Sequence, residues 1–248
     1  MNSSIGNITA VAKRELIGYF SSPVAYVFLV IYLLLGGFFT FMVSQYFEQG
    51  QATLVPFFMW QPWFFLVLVA AVGMRLWSEE RRLGTIELLF TMPITSWQAI
   101  VGKFLASWVF LALALVLTFP LVITVNYLGS PDNGVIFCSY FGCLLMAGGY
   151  LAVSCMTSAI TRNQVISFIL SLVIGLLLIL AGWPPVTKTL SQWAKPWLVD
   201  SVAAISVMTH FNTFQKGVLD SRDIIFFLSL IGFSLFTTGV ILRGHRAG

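Results

Sequence analysis

Six long stretches of this sequence contain no Asp, Glu, Lys or Arg. An α-helix needs about 20 apolar residues to cross the hydrocarbon core of a bilayer. A charge at mid-membrane costs about 2.5–3.5 kcal/mol on insertion scales, so gathering the charges between these stretches favours insertion of all six. The stretches cover residues 16–47, 49–74, 104–131, 133–161, 163–187 and 224–242.

The composition also indicates a membrane protein. Only 9% of the 248 residues are charged, against roughly 25% in soluble domains, and 58% are hydrophobic. The stretches do not alternate apolar and polar residues as the strands of a membrane barrel do, so helices are expected. We therefore predict an all-α integral membrane protein with a single membrane domain over 1–248. The six transmembrane helices are predicted near 24–44, 56–76, 104–128, 135–160, 164–182 and 224–242.

The distribution of Lys and Arg predicts an orientation. If both termini lie in the cytoplasm, the inner segments hold nine of these residues and the outer segments hold four. The positive-inside rule then favours a multi-pass protein with cytoplasmic termini. The inner nine are Lys13, Arg14, Arg75, Arg81, Arg82, Lys103, Arg162, Arg243 and Arg246, and the outer four are Lys188, Lys195, Lys216 and Arg222.

No pattern for metal or nucleotide chemistry occurs in the sequence. Cys138, Cys143 and Cys155 fall in or at the edge of one apolar stretch, where small packing residues are expected. His210 and His245 are distant in sequence, so we expect no metal site. No G-x-x-x-x-G-K-[ST] motif is present, so the chain is not expected to hydrolyse ATP by itself. Nothing indicates a nucleic-acid partner, since the basic residues lie between apolar spans.

The connection between the second and third apolar stretches gathers much of the charge. It reads EERRLGTIELLFTMPITSWQAIVGK over 79–103. Ser78 before two glutamates predicts a helix start with serine as the N-cap. Pro93 ends this segment, and Thr95 followed by Gln98 predicts a capping box for a new helix. The first helix would be amphipathic, with Gly84 in its interior and an apolar face formed by Leu83, Ile86, Leu89 and Phe90.

Two interpretations of this helix follow from the residues alone. It can lie on lipid headgroups as an interfacial helix. It can also be a docking element for a soluble partner, in which case its charges would set the register of the contact.

The same connection resembles the first cytoplasmic loop of ABC-2-type permeases, the membrane subunits of a class of ABC exporters. The family pattern is matched at Glu80, Gly84, Thr85, Glu87, Leu89, Pro93, Ile94, Gly102 and Lys103. The resemblance covers the whole chain and implies a type V exporter-like permease fold. It implies a cytoplasmic coupling helix that rests in a cleft of an ATPase subunit. The implied ATPase-coupling residues are Glu79, Glu80, Arg81, Gly84, Thr85, Glu87, Leu88, Leu89, Pro93 and Lys103.

Two further segments resemble the gliding-motility-associated (GldF-like) branch of this family. They are YFSSPVAYVF at 19–28 and FNTFQKGVLDSRDIIFFLSL at 211–230. The resemblance implies an amphipathic connecting helix at the inner surface, around residues 11–20, which carries Lys13, Arg14 and Glu15. It also implies short outer helices within about 183–223, before the last span. For His210 in that segment we expect a hydrogen-bonded interfacial side chain, with a proton-sensing or substrate role as the alternative.

The resemblance implies a permease subunit of an ATP-driven exporter in the bacterial inner membrane. Its expected partners are two ABC ATPase chains, which bind ATP and Mg²⁺, a second permease copy or a related permease, and a gliding-type accessory subunit with a periplasmic domain. A cargo-free scaffold that transmits ATPase work to envelope or motility machinery is the alternative. An ion-coupled carrier would need charges within the spans, and an intramembrane enzyme would need paired carboxylates or a histidine cluster there. The sequence does not indicate a substrate.

Overall fold

The computed structural model describes residues 2–48, 50–86 and 94–244. Within these ranges the regular secondary structure is helical, and they contain no strand. The α-helices are α1 (Asn2–Ser21), α2 (Pro23–Phe38, continued by a π-helix over Phe39–Val43), α3 (Val55–Gly73), α4 (Ser78–Leu83), α5 (Ser96–Val116), α6 (Phe119–Leu128), α7 (Asn133–Ile160), α8 (Gln164–Leu180), α9 (Pro184–Trp193), α10 (Pro196–Ala204), α11 (Val207–Gln215) and α12 (Ser221–Gly244).

The predicted all-α membrane fold is confirmed. Five helical segments are long and apolar enough to cross a membrane: Pro23–Val43, Val55–Leu83, Ser96–Leu128, Asn133–Ile160 and Ser221–Gly244. A sixth forms if α8 and α9 are counted together, although they are bent by 68° at the break between them. Helix α8 alone has 17 residues. At 1.5 Å per residue it is roughly 25 Å long, slightly shorter than the hydrocarbon core.

Helix α7 lies at the centre of the bundle. Helices α3, α5, α8, α11 and α12 all pack on it. Small residues allow this close approach, as in other membrane helix pairs. A Cβ atom added at Gly142 would lie 2.7 Å from the Cβ of Phe214 in α11, so this position has no room for a side chain. The core of the protein therefore surrounds α7, and a movement of α7 reaches most of the other helices.

The capping box predicted before α5 is present. The Thr95 side chain accepts a hydrogen bond from the Gln98 backbone N–H at 3.3 Å. The Gln98 side chain accepts one from the Thr95 backbone N–H at 2.9 Å. Helix α5 begins at Ser96 as a result, and the T-x-x-Q pattern predicted its start correctly.

Helix α1 packs along α5 near the charged connection. Gln98 contacts α1 twice: its Nε2 donates to Ser4 Oγ at 2.9 Å, and its Oε1 accepts from Asn7 Nδ2 at 3.3 Å. Further along, the Tyr19 and Ser107 hydroxyls lie 2.8 Å apart. The connecting helix predicted around 11–20 is thus part of a longer helix, Asn2–Ser21, held against the first half of α5.

The two ends of the bundle carry different elements. One end, the loop end, holds α1, residues 74–86 and 94–96, and the C-terminal part of α12, where a Cβ at Gly239 would lie 3.1 Å from the Trp97 ring. The other, the far end, holds α9, α10 and α11. There the Ser206 hydroxyl donates to the Leu178 carbonyl at 2.9 Å, which ties α11 to the end of α8.

Candidate functional site

The start of α4 differs from the prediction that Ser78 is its N-cap. Trp77 occupies the N-cap position, and Ser78 is the first helical residue. The Ser78 hydroxyl instead donates back to the carbonyl of Met74. The chain passes from α3 to α4 through a short turn at 74–77 that stays close to a helical path, so Ser78 does not adopt the extended backbone of an N-cap serine.

A residue of α7 caps α4 in place of Ser78. The buried Ser158 hydroxyl accepts hydrogen bonds from the backbone N–H groups of Trp77 at 2.9 Å and Ser78 at 3.0 Å. It donates to the Met74 carbonyl at 3.0 Å. These are the backbone groups that a helix start and a helix end leave without partners. One hydroxyl thus joins the end of α3, the start of α4 and the central helix.

Two more contacts hold α4 against α7. The Arg81 guanidinium donates to the carbonyl of Ala159, and the Trp77 indole N–H points at the Cys155 sulfur at 3.2 Å. Trp77 and Cys155 are both fully buried. Arg81 was predicted from sequence as a coupling residue. Ser158, Trp77 and Cys155 were not predicted as part of this site. A single serine or cysteine in an apolar stretch forms no recognisable sequence pattern.

Helix α4 is also shorter than predicted. Gly84, expected inside the helix, ends it in the left-handed conformation with φ 71°, and its N–H bonds to the Glu80 carbonyl. Glycine adopts this conformation without the steric penalty of a Cβ. Leu83, expected on the apolar face of this helix, is 62% exposed. After Gly84 the chain is helical again at Thr85 and Ile86, and Ile86, also expected on the apolar face, is partly buried against the core. Glu87, Leu88, Leu89, Phe90 and Pro93 lie outside the described residues.

Lys103 connects helices α1, α4 and α5, which all carry residues that the sequence analysis predicted for the site. It lies in α5 and is only 3% exposed. Its Nζ is 2.9 Å from Glu80 Oε1 in α4 and 3.2 Å from Glu15 Oε1 in α1. The same ammonium lies 5.3 Å from the centre of the Trp77 ring. A buried ammonium requires such partners, since without them its desolvation would be uncompensated.

The charge on Glu15 depends on this contact. Burial acts to raise the pKa of Glu15, but the neighbouring Lys103 and Arg14 outweigh it, and the net pKa is lowered from its usual 4.5. Arg14 contributes through a contact of 2.9 Å to the same carboxylate oxygen. The Glu15 carboxylate is therefore stabilised in its charged form by the cations around it.

The predicted coupling residues divide into two groups. Glu80, Arg81 and Lys103 point into the protein and hold α4 in place. Gly84 and Thr85 are exposed, and Glu79 is half-buried. On α1, Glu15 faces Lys103, whereas Lys13 and Arg14 are exposed. The sequence motif thus combines an internal ion-pair network with an outer surface at the turn after α4.

His210 at the far end makes two hydrogen bonds. Its Nδ1 lies 2.6 Å from Asp223 Oδ1 at the start of α12, and its Nε2 lies 3.0 Å from the Ala204 carbonyl. The ring stacks on Phe226 with 4.0 Å between centroids. The hydrogen-bonded side chain expected from sequence is present. Among the residues with described positions, no three of His, Cys, Asp or Glu are grouped as metal ligands would be.

These features define a class of protein, a multi-pass helical membrane protein with a short charged helix fixed at one end of the bundle. The chain belongs to the ABC-2 family of transporters, because the family model described as ABC-2 family transporter protein matches residues 9–224. No curated protein matches the chain. Members of this family are membrane permease subunits of ABC transporters, are not themselves catalytic, and generally pair with an ABC ATPase subunit.

Proposed function

We propose that this chain is the permease of an ATP-driven exporter in the bacterial inner membrane, and that the connection from Met74 to Thr95 receives mechanical work from a separate ATPase. The Lys103 ion-pair network is the observation that carries the proposal. It ties α4, a helix of six residues, to both α1 and α5. A helix that short is not stable alone in water, so it needs such anchors to transmit a force.

The contacts suggest a path for that force. A load on the exposed turn at Gly84 and Thr85 passes into α4. Ser158 then transmits it to α7, and Lys103 transmits it to α1 and α5. Since α7 contacts most of the bundle, a small displacement of α4 would tilt several spans together. Glu87, Leu88, Leu89 and Pro93 complete the proposed docking surface on the basis of the family pattern.

The proposed assembly contains two permeases and two ATPase chains, with ATP and Mg²⁺ bound to the ATPases. Helix α1 and the C-terminal part of α12 lie at the same end of the bundle as α4, which supports both termini facing the ATPase in the cytoplasm. The segments at 19–28 and 211–230 support the GldF-like branch, and with it an accessory subunit that has a periplasmic domain.

A matched pair of threonine variants tests the proposal. Thr85 at the loop end and Thr189 in α9 at the far end are both exposed. Thr85→Arg is expected to lower the ATPase activity of the assembled complex about tenfold, which corresponds to ~1.4 kcal/mol of lost coupling. Thr189→Arg is expected to leave it unchanged. Equal activity in both variants and the wild type would contradict the docking role of this turn.

A further inference from the structure

A cavity of about 280 Å³ opens beside Lys103 at the loop end of the bundle. Its walls come from α1, α2, α3, α4 and α5 and from the turn between α3 and α4. The part formed by the spanning helices is apolar and includes Phe28, Val72 and Phe110. The charged residues in the wall are Glu15, Arg75, Glu79, Glu80 and Lys103. The cavity therefore has one apolar part within the spans and one charged part at their end.

The charges around the cavity are incompletely paired within the described part of the chain. Lys103 is satisfied by Glu15 and Glu80. The second oxygen of Glu80, Oε2, is buried and has no hydrogen-bond partner. Arg75 is exposed and Glu79 is half-buried, and neither has an ion-pair partner among the residues with described positions. One cation, Arg75, and one carboxylate, Glu79, are thus available to a ligand beside an apolar wall.

We propose that this cavity binds a phospholipid with a primary-amine headgroup, phosphatidylethanolamine, from the leaflet at the loop end. The lipid ammonium donates hydrogen bonds to Glu79, and the phosphate pairs with Arg75. An acyl chain lies along Phe28. Each available group at the cavity then has a complementary partner in one molecule.

The chemistry of the wall selects among membrane lipids. A choline headgroup carries no N–H and cannot donate a hydrogen bond to Glu79. An anionic headgroup without an amine would meet three carboxylates (Glu15, Glu79 and Glu80) and only two cations (Arg75 and Lys103). The site is therefore expected to prefer phosphatidylethanolamine to both. This inference does not depend on ATPase coupling.

Native mass spectrometry of the full chain tests the site. The protein is released from bilayers that contain equal amounts of phosphatidylethanolamine and phosphatidylcholine, and the retained lipid is identified. The wild type is expected to retain phosphatidylethanolamine about tenfold more than phosphatidylcholine, which corresponds to ~1.4 kcal/mol. Glu79→Gln is expected to weaken that preference, because it removes the carboxylate that accepts from the lipid ammonium. Arg75→Gln is expected to lower the retention of both lipids, because both carry the phosphate. Arg82→Gln, at an exposed arginine outside the cavity, is the matched control and is expected to keep the wild-type preference and retention.

Any other pattern among the three variants would overturn the proposal, as would equal retention of the two lipids by the wild type. Thermal unfolding in detergent checks that the variants fold, which is expected because Arg75 is exposed and Glu79 is only half-buried. A soluble competitor shows whether the site binds the whole lipid or only its headgroup. Glycerophosphoethanolamine has the headgroup without acyl chains, and equal competition by it would contradict a role for the apolar wall.

Discussion

Lys103 shows at the scale of single residues how a membrane protein keeps a buried charge. Its ammonium is almost fully enclosed, and the Glu15 and Glu80 side chains beside it retain 22% and 19% exposure. Removal of one partner of a buried ion pair leaves the other charges uncompensated, which is more damaging than the loss of the attraction alone. The network therefore makes α1, α4 and α5 depend on one another.

Lys103→Met is expected to destabilise the protein by about 3 kcal/mol, at the lower end of the range for a broken buried pair because the Glu15 and Glu80 side chains keep some exposure. Unfolding in a mixed detergent series would measure the change. Lys188→Met, at an exposed lysine of α9, is the control and should have little effect. Similar stabilities for the two variants would show that the network contributes nothing.

Glu15 is expected to make the docking of α1 sensitive to acid. The pKa of Glu15 is lowered in the folded protein, so its contribution is present above its usual pKa of 4.5 and is lost as pH falls through the lowered value. Hydrogen exchange of the α1 amides, followed from pH 6 downward, should show release of α1 in that acidic range. The same experiment on Glu15→Gln should show a weaker dependence on pH. An unchanged profile would contradict the role of this carboxylate.

Ser158 is the residue that sequence reasoning could not find. Ser158→Ala would leave the N–H groups of Trp77 and Ser78 without their acceptor, at about 1–3 kcal/mol for each buried group. Hydrogen exchange over 76–82 should accelerate by an order of magnitude or more. Ser201→Ala, at an exposed serine of α10, is the control. Unchanged exchange in Ser158→Ala would show that the cap is dispensable.

At the scale of elements, sequence patterns predicted local features well and long-range ones poorly. Thr95 and Gln98 are three residues apart and satisfy each other, so their motif was sufficient to predict the start of α5. The same logic failed at Ser78, because its expected role is performed by Ser158, 80 residues later in the chain. Gly84 was predicted inside a helix, but it ends α4 with a left-handed backbone. This conformation depends on how α4 is held by the rest of the protein, which the local sequence does not show.

Gly84 offers a test of how α4 must end. Proline cannot adopt a φ of 71° and has no N–H to donate to the Glu80 carbonyl, so Gly84→Pro should disrupt this turn. Asparagine tolerates the left-handed region, and Gly84→Asn should retain most function. Both variants should reach the membrane. The ATPase activity of the complex is expected to fall in the proline variant only, and equal activities would contradict the importance of this conformation.

At the scale of the whole molecule, the charge-free stretches coincide with the candidate membrane helices, but they do not predict how these helices pack. Five segments are long and apolar enough to span, although turns at 74–77 and 117–118 interrupt two of them. The stretch at 163–187 bends near Pro184 and Pro185, which fix the start of α9. The central position of α7 was not predicted, although Gly142, Gly148 and Gly149 in its stretch are small residues of the kind that allow close helix packing. Helix order in a membrane is set by shape and close packing, which become visible only in three dimensions.

Co-purification from native membranes in mild detergent, with mass spectrometry of the bound proteins, tests whether the chain binds an ATPase subunit. Wild-type protein and Thr189→Arg are expected to bring down an ATPase with the G-x-x-x-x-G-K-[ST] motif in amounts similar to the permease, and Thr85→Arg is expected to bring down about tenfold less of it. A monodisperse wild-type preparation that contains no such ATPase would contradict the proposal that this chain works as an ATP-driven permease.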